Sequence, residues 1–319
     1  MIKKLFIVSL VFGLFACKNT PSKLVDEAPL VSSSRKDATG MTIHFDLPPK
    51  RIISLNESLT ELAFDLGAGE RIIAVSEDTE IKWDGKPVPT LPYPSQPDAI
   101  ADSAKKLNPE IIFALKEQFQ NPSTFRDKAK PVPVFFCEMN RMDDVYKTVQ
   151  TIGDYTNRSS EAGTWVKQFK QFVSDIEANR ESKNHSSVII ASYNPLKVIG
   201  NDNYLNDILT SCGGKNAFAD KGTGVVSITM EELLNIQPEY AFLITDNENV
   251  SQDLLQAQPA IKNLKALKEE RMLTLDPAVF LRPGMRLYQA YAYLAAYLNP
   301  KMDVRKLYQK AFPQNEVVD

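Results

Sequence analysis

The segment Leu107–Phe113 (LNPEIIF) and the segment Ile236–Phe242 (IQPEYAF) follow one plan, 129 residues apart. In each segment a helical pattern ends, Pro-Glu follows, and an apolar run begins. Proline disfavours the helical conformation of the residue before it, so both segments predict a helix that stops just before a buried strand. A join of this kind is common enough to occur twice by chance, but its repetition favours two lobes of related design.

Apolar runs and helical patterns alternate on both sides of the repeated join. The predicted strands are 51–55, 71–75, 111–115, 131–136 and 188–191. The predicted helices begin at a Ser58…Glu61 capping box, at Asp98, at Asn203 and at a Thr229…Glu232 capping box, and the first of them ends at Gly67. Such alternation is typical of parallel strands covered by helices on both faces. We therefore predict an α/β fold of two lobes, each with a mostly parallel central sheet flanked by helices.

A single long helix is predicted between the lobes, at 158–183. Its apolar positions recur at helical spacing and are Ala162, Trp165, Val166, Phe169, Phe172, Val173 and Ile176. The predicted limits of the lobes follow from it, with the N-terminal α/β lobe at 42–157 and the C-terminal α/β lobe at 184–319. One stiff helix between the lobes predicts little closure when a ligand binds.

The N-terminus has the pattern of a secretory signal. Lys3 and Lys4 precede an apolar run that ends at Ala16, and Cys17 follows. At 12 residues the run is too short to cross a bilayer. Ala16-Cys17 resembles the lipobox of bacterial lipoproteins, which predicts a signal peptide at 1–16 and acyl chains such as palmitate on Cys17. Ordinary secretion with an unmodified Cys17 is the alternative. Residues 17–41 are rich in Ser, Pro, Asp and Lys, which predicts a flexible tether.

The composition excludes several classes of protein. The chain has 319 residues, a formal net charge of −3, three Cys and two His. Near-balanced charge excludes a basic nucleic-acid-binding field, and two His exclude a three-His zinc site. The sequence lacks a nucleophile elbow, a P-loop and a dinucleotide-binding glycine motif, so we expect no catalytic residues, no metal site, no cofactor and no enzyme activity. Cys137 and Cys212 are expected to be buried free thiols. A disulfide between them is the alternative.

Three further motifs carry a family resemblance. Residues 49–55 (PKRIISL) followed by Thr60-Glu61-Leu62, residues 231–234 (EELL) before Gln237-Pro238-Glu239, and residues 282–286 (RPGMR) occur in that order. Together with the lipobox and the connecting helix, they resemble the helix-hinged (class III) periplasmic substrate-binding proteins of ABC importers. These proteins carry cobalamin, ferric siderophores or haem. The resemblance spans about residues 42–299, nearly all of the mature chain.

The resemblance implies two kinds of site. A carboxylate on each lobe, here Asp98 and Glu231, would dock on Arg side chains of the permease, although a carboxylate at a helix start is also stabilised by the helix dipole alone. A ligand cleft would lie between the lobes, at the loops that follow the strands. The expected ligand-binding residues are Asn56, Glu57, Glu77, Tyr93, Lys116, Tyr193, Asn194, Val225, Asn247 and Arg282. Arg282 would either meet an anionic ligand group or brace its own turn through main-chain carbonyls.

The ligand expected from this resemblance is a bulky metal chelate. Cobalamin is favoured because Tyr93 falls where relatives place an aromatic ring against the corrin, and a ferric siderophore is a close second. Haem is the alternative, weakened because neither His44 nor His185 falls at a predicted cleft position. A non-transport lipoprotein that senses its ligand is the other alternative. The expected location is the periplasmic face of a membrane of a Gram-negative bacterium, where a monomer bound by its lipid anchor meets an inner-membrane permease.

Overall fold

A computed structural model describes residues 32–79, 82–83, 86–247 and 249–313. The predicted signal peptide, Cys17 and the first part of the predicted tether lie outside the described residues. Among the described residues, no helix combines the length and the apolar character needed to span a membrane.

The N-terminal lobe is built on a five-stranded parallel sheet. Its chain begins with a hairpin of β1 (Ser33–Lys36) and β2 (Thr42–Phe45), and continues through β3 (Ile52–Ser54), α1 (Glu57–Asp65), β4 (Ile72–Ser76), a short hairpin of β5 (Lys82–Trp83) and β6 (Lys86–Pro87), β7 (Thr90–Leu91), α2 (Pro97–Leu107), β8 (Ile111–Leu115), α3 (Pro122–Ala129), β9 (Val134–Cys137) and α4 (Met142–Tyr155). The strands lie side by side in the order β7-β4-β3-β8-β9, all parallel. Their carboxyl ends therefore meet at one edge of the sheet.

The connecting helix α5 (Ser159–Asn179) has 21 residues and leads into the C-terminal lobe. That lobe contains β10 (His185–Tyr193), β11 (Leu196–Ile199), α6 (Tyr204–Ser211), β12 (Gly214–Asn216), β13 (Val225–Ser227), α7 (Met230–Ile236), β14 (Tyr240–Ile244), α8 (Val250–Ala257), α9 (Lys265–Lys268), β15 (Met272–Leu275), α10 (Pro277–Phe280), α11 (Tyr288–Leu298) and α12 (Val304–Ala311). The sheet order is β13-β11-β10-β14-β15, and β12 also pairs with β10. Only β11 runs against the strands beside it, because a tight hairpin joins it to β10. The predicted α/β class, with a mostly parallel sheet in each lobe, is confirmed.

The inner faces of the two sheets share one core. Alternate residues of each strand point to opposite faces, so Ile52 and Phe113 face α5 while Ile53 and Ile112 pack under the outer helices. Phe169 and Phe172 of α5 are fully buried in the same cluster as Phe242 and Leu273 of the second lobe. Large apolar side chains are therefore packed continuously from one lobe, through α5, to the other.

The N-terminal hairpin corrects the predicted tether. Residues 33–41 were expected to lack structure, but Ser33–Lys36 pair with β2, and the Asp37 carboxylate is buried. It accepts hydrogen bonds from the Thr39 and Met41 backbone N–H groups at 2.9 and 3.0 Å, and it pairs with the Arg126 guanidinium. Arg126, 89 residues away in the sequence, thus orders this segment, and the local composition of the segment does not indicate this partner.

The start of α1 corrects a second prediction. Asn56, rather than Ser58, caps the helix, and its side-chain oxygen accepts a hydrogen bond from the Leu59 N–H at 3.3 Å. Ser58 lies one residue inside the helix and is buried, and Glu61 faces two arginines of the other lobe. The second predicted capping box is confirmed, because Thr229 and Glu232 bond reciprocally at the start of α7.

Cys137 and Cys212 are free and buried, which confirms the expectation of two buried free thiols. Burial in apolar surroundings raises the pKa of both thiols far above the ordinary range.

Candidate ligand cleft

Four predicted ligand residues of the N-terminal lobe lie at the carboxyl ends of its parallel strands. Asn56 and Glu57 follow β3, Glu77 follows β4, and Tyr93 follows β7. The Glu77 carboxylate accepts a hydrogen bond from the Tyr93 N–H at 3.0 Å, which holds the two strand ends together. The Tyr93 ring is 42% exposed, so it is available for stacking rather than packed among the neighbouring prolines. The Asn56 side-chain oxygen, by contrast, already caps α1.

A polar group surrounds Lys116 at the ends of β8 and β9. The Lys116 ammonium lies 3.9 Å from a Glu138 carboxylate oxygen. The Asn140 amide donates to Glu138 at 3.0 Å and to Glu117 at 3.1 Å. Burial and the nearby Glu138 charge raise the pKa of Glu117, whereas hydrogen bonds from its own backbone and from Asn140 oppose the rise. The sequence argument missed Glu117, Glu138 and Asn140, although each lies within four residues of the end of a predicted strand.

The C-terminal lobe contributes a polar pocket of about 380 Å³. Its lining is Tyr193, Asn194, Asp253, Gln256 and Ala257. The Asn247 amide donates to the Asp253 carboxylate at 2.6 Å and lies 3.5 Å from the Tyr193 hydroxyl. Three predicted ligand residues, Tyr193, Asn194 and Asn247, are therefore brought together.

Arg282 crosses between the lobes, and carboxylates rather than main-chain carbonyls hold it. Its guanidinium lies 3.0 Å from Glu57 and 3.4 Å from Glu61, both on α1 of the N-terminal lobe. Arg286 adds a second contact to Glu61 at 2.5 Å. The expectation that Arg282 braces main-chain carbonyls of its own turn is not what the structure shows, because two carboxylates of the facing lobe hold it instead. Burial, together with the Glu61 and Asp78 charges, raises the pKa of Glu57 even though Arg282 opposes the rise.

A second ionic bridge joins the lobes at Arg141, which the sequence argument did not single out. Its guanidinium lies 2.7 Å from Asp202 and 3.0 Å from Asp207. The Met142 N–H, at the start of α4, also donates to Asp207 at 3.0 Å. A pocket of about 270 Å³ lies beside this bridge, and Tyr146 and Tyr291 contribute to its wall. The Arg282 and Arg141 bridges thus connect the lobes through charges at two places.

Val225 lies on an edge strand, and each of the two histidines lies beside a carboxylate. Val225 is exposed on β13, the edge strand of the second sheet. His44 lies on β2 beside Asp46, and His185 is buried at the start of β10 beside Glu239. Nowhere in the described part of the chain do three or more His, Cys, Asp or Glu side chains gather as they would around a metal ion.

The two predicted docking carboxylates occupy matching places. Asp98 is the second residue of α2 and Glu231 is the second residue of α7. Counted from the helix end, Asp98 lies four residues farther back than Glu231, because α2 has 11 residues and α7 has 7. Four residues are only slightly more than one helical turn. The two carboxylates therefore project from nearly the same face of equivalent helices. Both are exposed, and Asp98 forms a surface ion pair with Lys128.

Comparisons with known proteins agree with this architecture. The family model of periplasmic binding proteins matches residues 52–279. An uncharacterised ABC transporter substrate-binding lipoprotein of Bacillus subtilis is 25% identical over 272 residues, which cover 83% of this chain and 84% of that protein. A vitamin B12-binding protein of Vibrio parahaemolyticus is 25% identical over 248 residues, covering 76% of this chain and 87% of that protein.

The solved structures agree as well. A periplasmic heme-binding protein of Vibrio cholerae has a TM-score of 0.67 at 19% identity, and the match covers 78% of this chain and 98% of that one. That likeness bears on the fold, and the family model spans well over half of the sequence. The chain belongs to the periplasmic binding protein family, in the helix-hinged form with two lobes joined by α5.

Proposed function

We propose that this chain is the substrate-binding lipoprotein of an ABC importer, which captures a bulky metal chelate between its lobes and delivers it to the permease. The observation that carries the proposal is the set of strand-end side chains in a member of this family. An exposed tyrosine, Tyr93, follows a strand of the N-terminal sheet, and a polar pocket lies beside Tyr193 at the end of β10 in the other lobe, so both would line a cleft between the lobes. No reaction is involved, because capture needs only shape and non-covalent contacts.

Cobalamin is the favoured ligand, and a ferric siderophore is the close second. An exposed Tyr93 suits a flat macrocycle, and relatives include vitamin B12-binding proteins. Haem stays the alternative ligand because a heme-binding protein shares the fold. For haem, Tyr93 or Tyr193 would have to supply the iron ligand, since His44 and His185 lie elsewhere.

Titration calorimetry with cyanocobalamin tests the ligand, using the full chain purified in detergent. We expect saturable one-to-one binding at submicromolar concentration, and a Tyr93→Ala variant that loses about two- to twelvefold in affinity because a stacked ring is worth about 0.5–1.5 kcal/mol. Leu47→Ala is the matched control, since Leu47 is an exposed apolar residue in the connection between β2 and β3. If folded protein gives no heat of binding, cobalamin is excluded as the ligand and a ferric siderophore becomes the favoured one.

Two carboxylates are proposed to register the lobes on the permease. Asp98 and Glu231 support this because they project alike from equivalent helices of the two lobes. A double Asp98→Lys/Glu231→Lys variant should abolish uptake by cells that carry no other copy, while the ligand affinity of the purified chain stays unchanged. The control is Asp46→Lys/Glu161→Lys, which reverses two exposed charges on other elements. Normal transport by the double docking variant would contradict the docking role.

The location and the anchor belong to the same proposal. An acylated Cys17 would hold the chain at the periplasmic face, and a relative is described as a lipoprotein. The non-transport alternative, a ligand-sensing lipoprotein, predicts that deletion of the chain leaves uptake intact while a response to the ligand is lost.

A further inference from the structure

The cations at the rim of the cleft, which are Arg282, Lys116 and Arg141, are already paired with carboxylates of the protein. Arg282, the residue best suited to meet a ligand anion, lies between Glu57 and Glu61 at 3.0 and 3.4 Å. Arg286 shares Glu61, so two guanidinium groups and two carboxylates form a cluster without net charge, which offers little positive field to a further anion. A ligand carboxylate or catecholate would have to displace Glu57 or Glu61, and the displaced group would then lack its partner.

The remaining cations at the strand ends of the N-terminal lobe are paired in the same way. Lys116 lies 3.9 Å from Glu138, and Arg141 lies within 3.0 Å of both Asp202 and Asp207. Among the described residues that lie one to four positions after a strand of the five-stranded sheet, five carboxylates accompany these two cations. The five are Glu57, Glu77, Asp78, Glu117 and Glu138.

The carboxylates at the rim also crowd one another. Burial raises the pKa of both Glu117 and Glu57, and neighbouring carboxylates add to the rise, Glu138 for Glu117 and Glu61 and Asp78 for Glu57. On the facing lobe, the Asp253 carboxylate lines the polar pocket and Asp246 follows β14. A ligand that enters between the lobes thus meets hydrogen-bond acceptors on both sides.

We propose that the cleft selects chelates without net negative charge, uncharged or cationic, and excludes polyanionic chelates such as ferric tris-catecholates. The reason is that Arg282 and Arg286 are balanced by Glu57 and Glu61, and Lys116 by Glu138, so that Glu77, Asp78 and Glu117 leave an excess of carboxylates at the strand ends. This inference rests on the proposed function, since it concerns the same cleft. It narrows the two leading ligands to cobalamin and to siderophores of the hydroxamate type.

Two ligand series that differ only in charge test the inference, titrated into the full chain in detergent. The first is a linear ferric trihydroxamate with a free terminal amine, its N-acetyl derivative and its N-succinyl derivative. The second is cyanocobalamin and its tricarboxylate derivative. In the series that binds, we expect affinity to fall at least tenfold from the uncharged to the most anionic member at about 20 mM salt. The gap should shrink at about 500 mM salt, because the Debye length falls with ionic strength.

A charge-neutralising variant tests whether carboxylates at the rim of the cleft cause the lower affinity for anionic ligands. Glu117→Gln/Glu138→Gln should narrow the gap between the uncharged and anionic ligands, whereas the control Asp46→Asn/Glu161→Gln should leave it unchanged. Circular dichroism and the thermal midpoint establish that each variant is folded.

The outcomes separate the inference from the proposed function. An anionic member, or a ferric tris-catecholate, that binds as tightly as the uncharged chelate at low salt would overturn the inference and leave the proposed function standing. Failure of every chelate to bind the folded wild-type chain would overturn both.

Discussion

Asn108 and Gln237, 129 residues apart, both adopt the left-handed backbone conformation, with φ of 54° and 49°. Each is the residue at which a helix ends, α2 in one lobe and α7 in the other, and each is followed by Pro-Glu and a central strand. The glutamates that follow have matching partners. Glu110 accepts from the Lys50 and Arg51 N–H groups just before β3, and Glu239 contacts Lys183 and His185 at the entry to β10. The repeated sequence join is thus a repeated structural unit.

The left-handed residue at the end of α2 gives a first prediction. Asn108→Ala should lower the free energy of unfolding by about 1 kcal/mol, because a Cβ without a compensating polar group is disfavoured in this conformation. Asn108→Gly should cost nothing or stabilise slightly. Denaturant unfolding measures both, with Lys105→Ala on the exposed face of the same helix as the control. Equal stability of the Ala and Gly variants would contradict the argument.

The buried ion pair of the N-terminal hairpin gives a second prediction. The Asp37 carboxylate is wholly buried, and it faces Arg126, which is 11% exposed. Asp37→Asn should lower the free energy of unfolding by about 3 kcal/mol, because it leaves the guanidinium without its counter-charge. Asp46→Asn, at an exposed carboxylate after the same hairpin, is the control. If the two variants unfold at the same denaturant concentration, the hairpin is not held by this pair.

The capping box of α7 gives a pH-dependent prediction. Hydrogen bonds from Lys221 and from the Thr229 backbone lower the pKa of Glu232 to about 2. A lowered pKa in the folded chain means that the carboxylate stabilises the fold at neutral pH, and that this stabilisation is lost as the pH falls from the ordinary range of a glutamate towards 2.

Glu232→Gln should therefore lower the thermal midpoint at neutral pH by about 1–2 °C, the scale of a surface pair in a chain of this size. The difference from the wild-type chain should disappear towards pH 2. Glu231→Gln, at the neighbouring exposed carboxylate, should lower the midpoint at neutral pH by less, because it removes only the favourable interaction of a carboxylate with the helix N-terminus. A constant difference across the pH range would show that the charge of Glu232 is not the cause.

The two buried thiols give a fourth prediction, best measured in a chain with Cys17→Ser. Cys137 and Cys212 should resist a thiol reagent at mildly alkaline pH and react at once in concentrated guanidinium chloride. Burial both blocks access and disfavours the thiolate that reacts. Rapid modification of either thiol in the native chain would contradict its burial. Failure of both to react after unfolding without reductant would reveal a disulfide.

The sequence by itself determined the elements whose signals are local. The apolar run Ile111–Leu115 is a strand with the predicted limits, and Thr229 and Glu232 form the predicted cap. The apolar positions of α5 predicted a long helix, although the helix ends at Asn179 rather than at residue 183. Such features depend on hydrogen bonds and burial within a few residues, so a short stretch of sequence contains the information that decides them.

The tertiary structure decided the features that depend on distant partners. Asn56 or Ser58 could each have capped α1, but Glu61 is drawn to Arg282 and Arg286, more than 220 residues away, so it serves no capping box. The Asp37 carboxylate orders a segment of polar composition only because Arg126 lies beside it. Arg282 does not brace the main chain of its own turn, since the facing lobe presents Glu57 and Glu61 to it. Charges act through space across whatever elements the packing brings together, and one sequence contains no local pattern that states which elements those are.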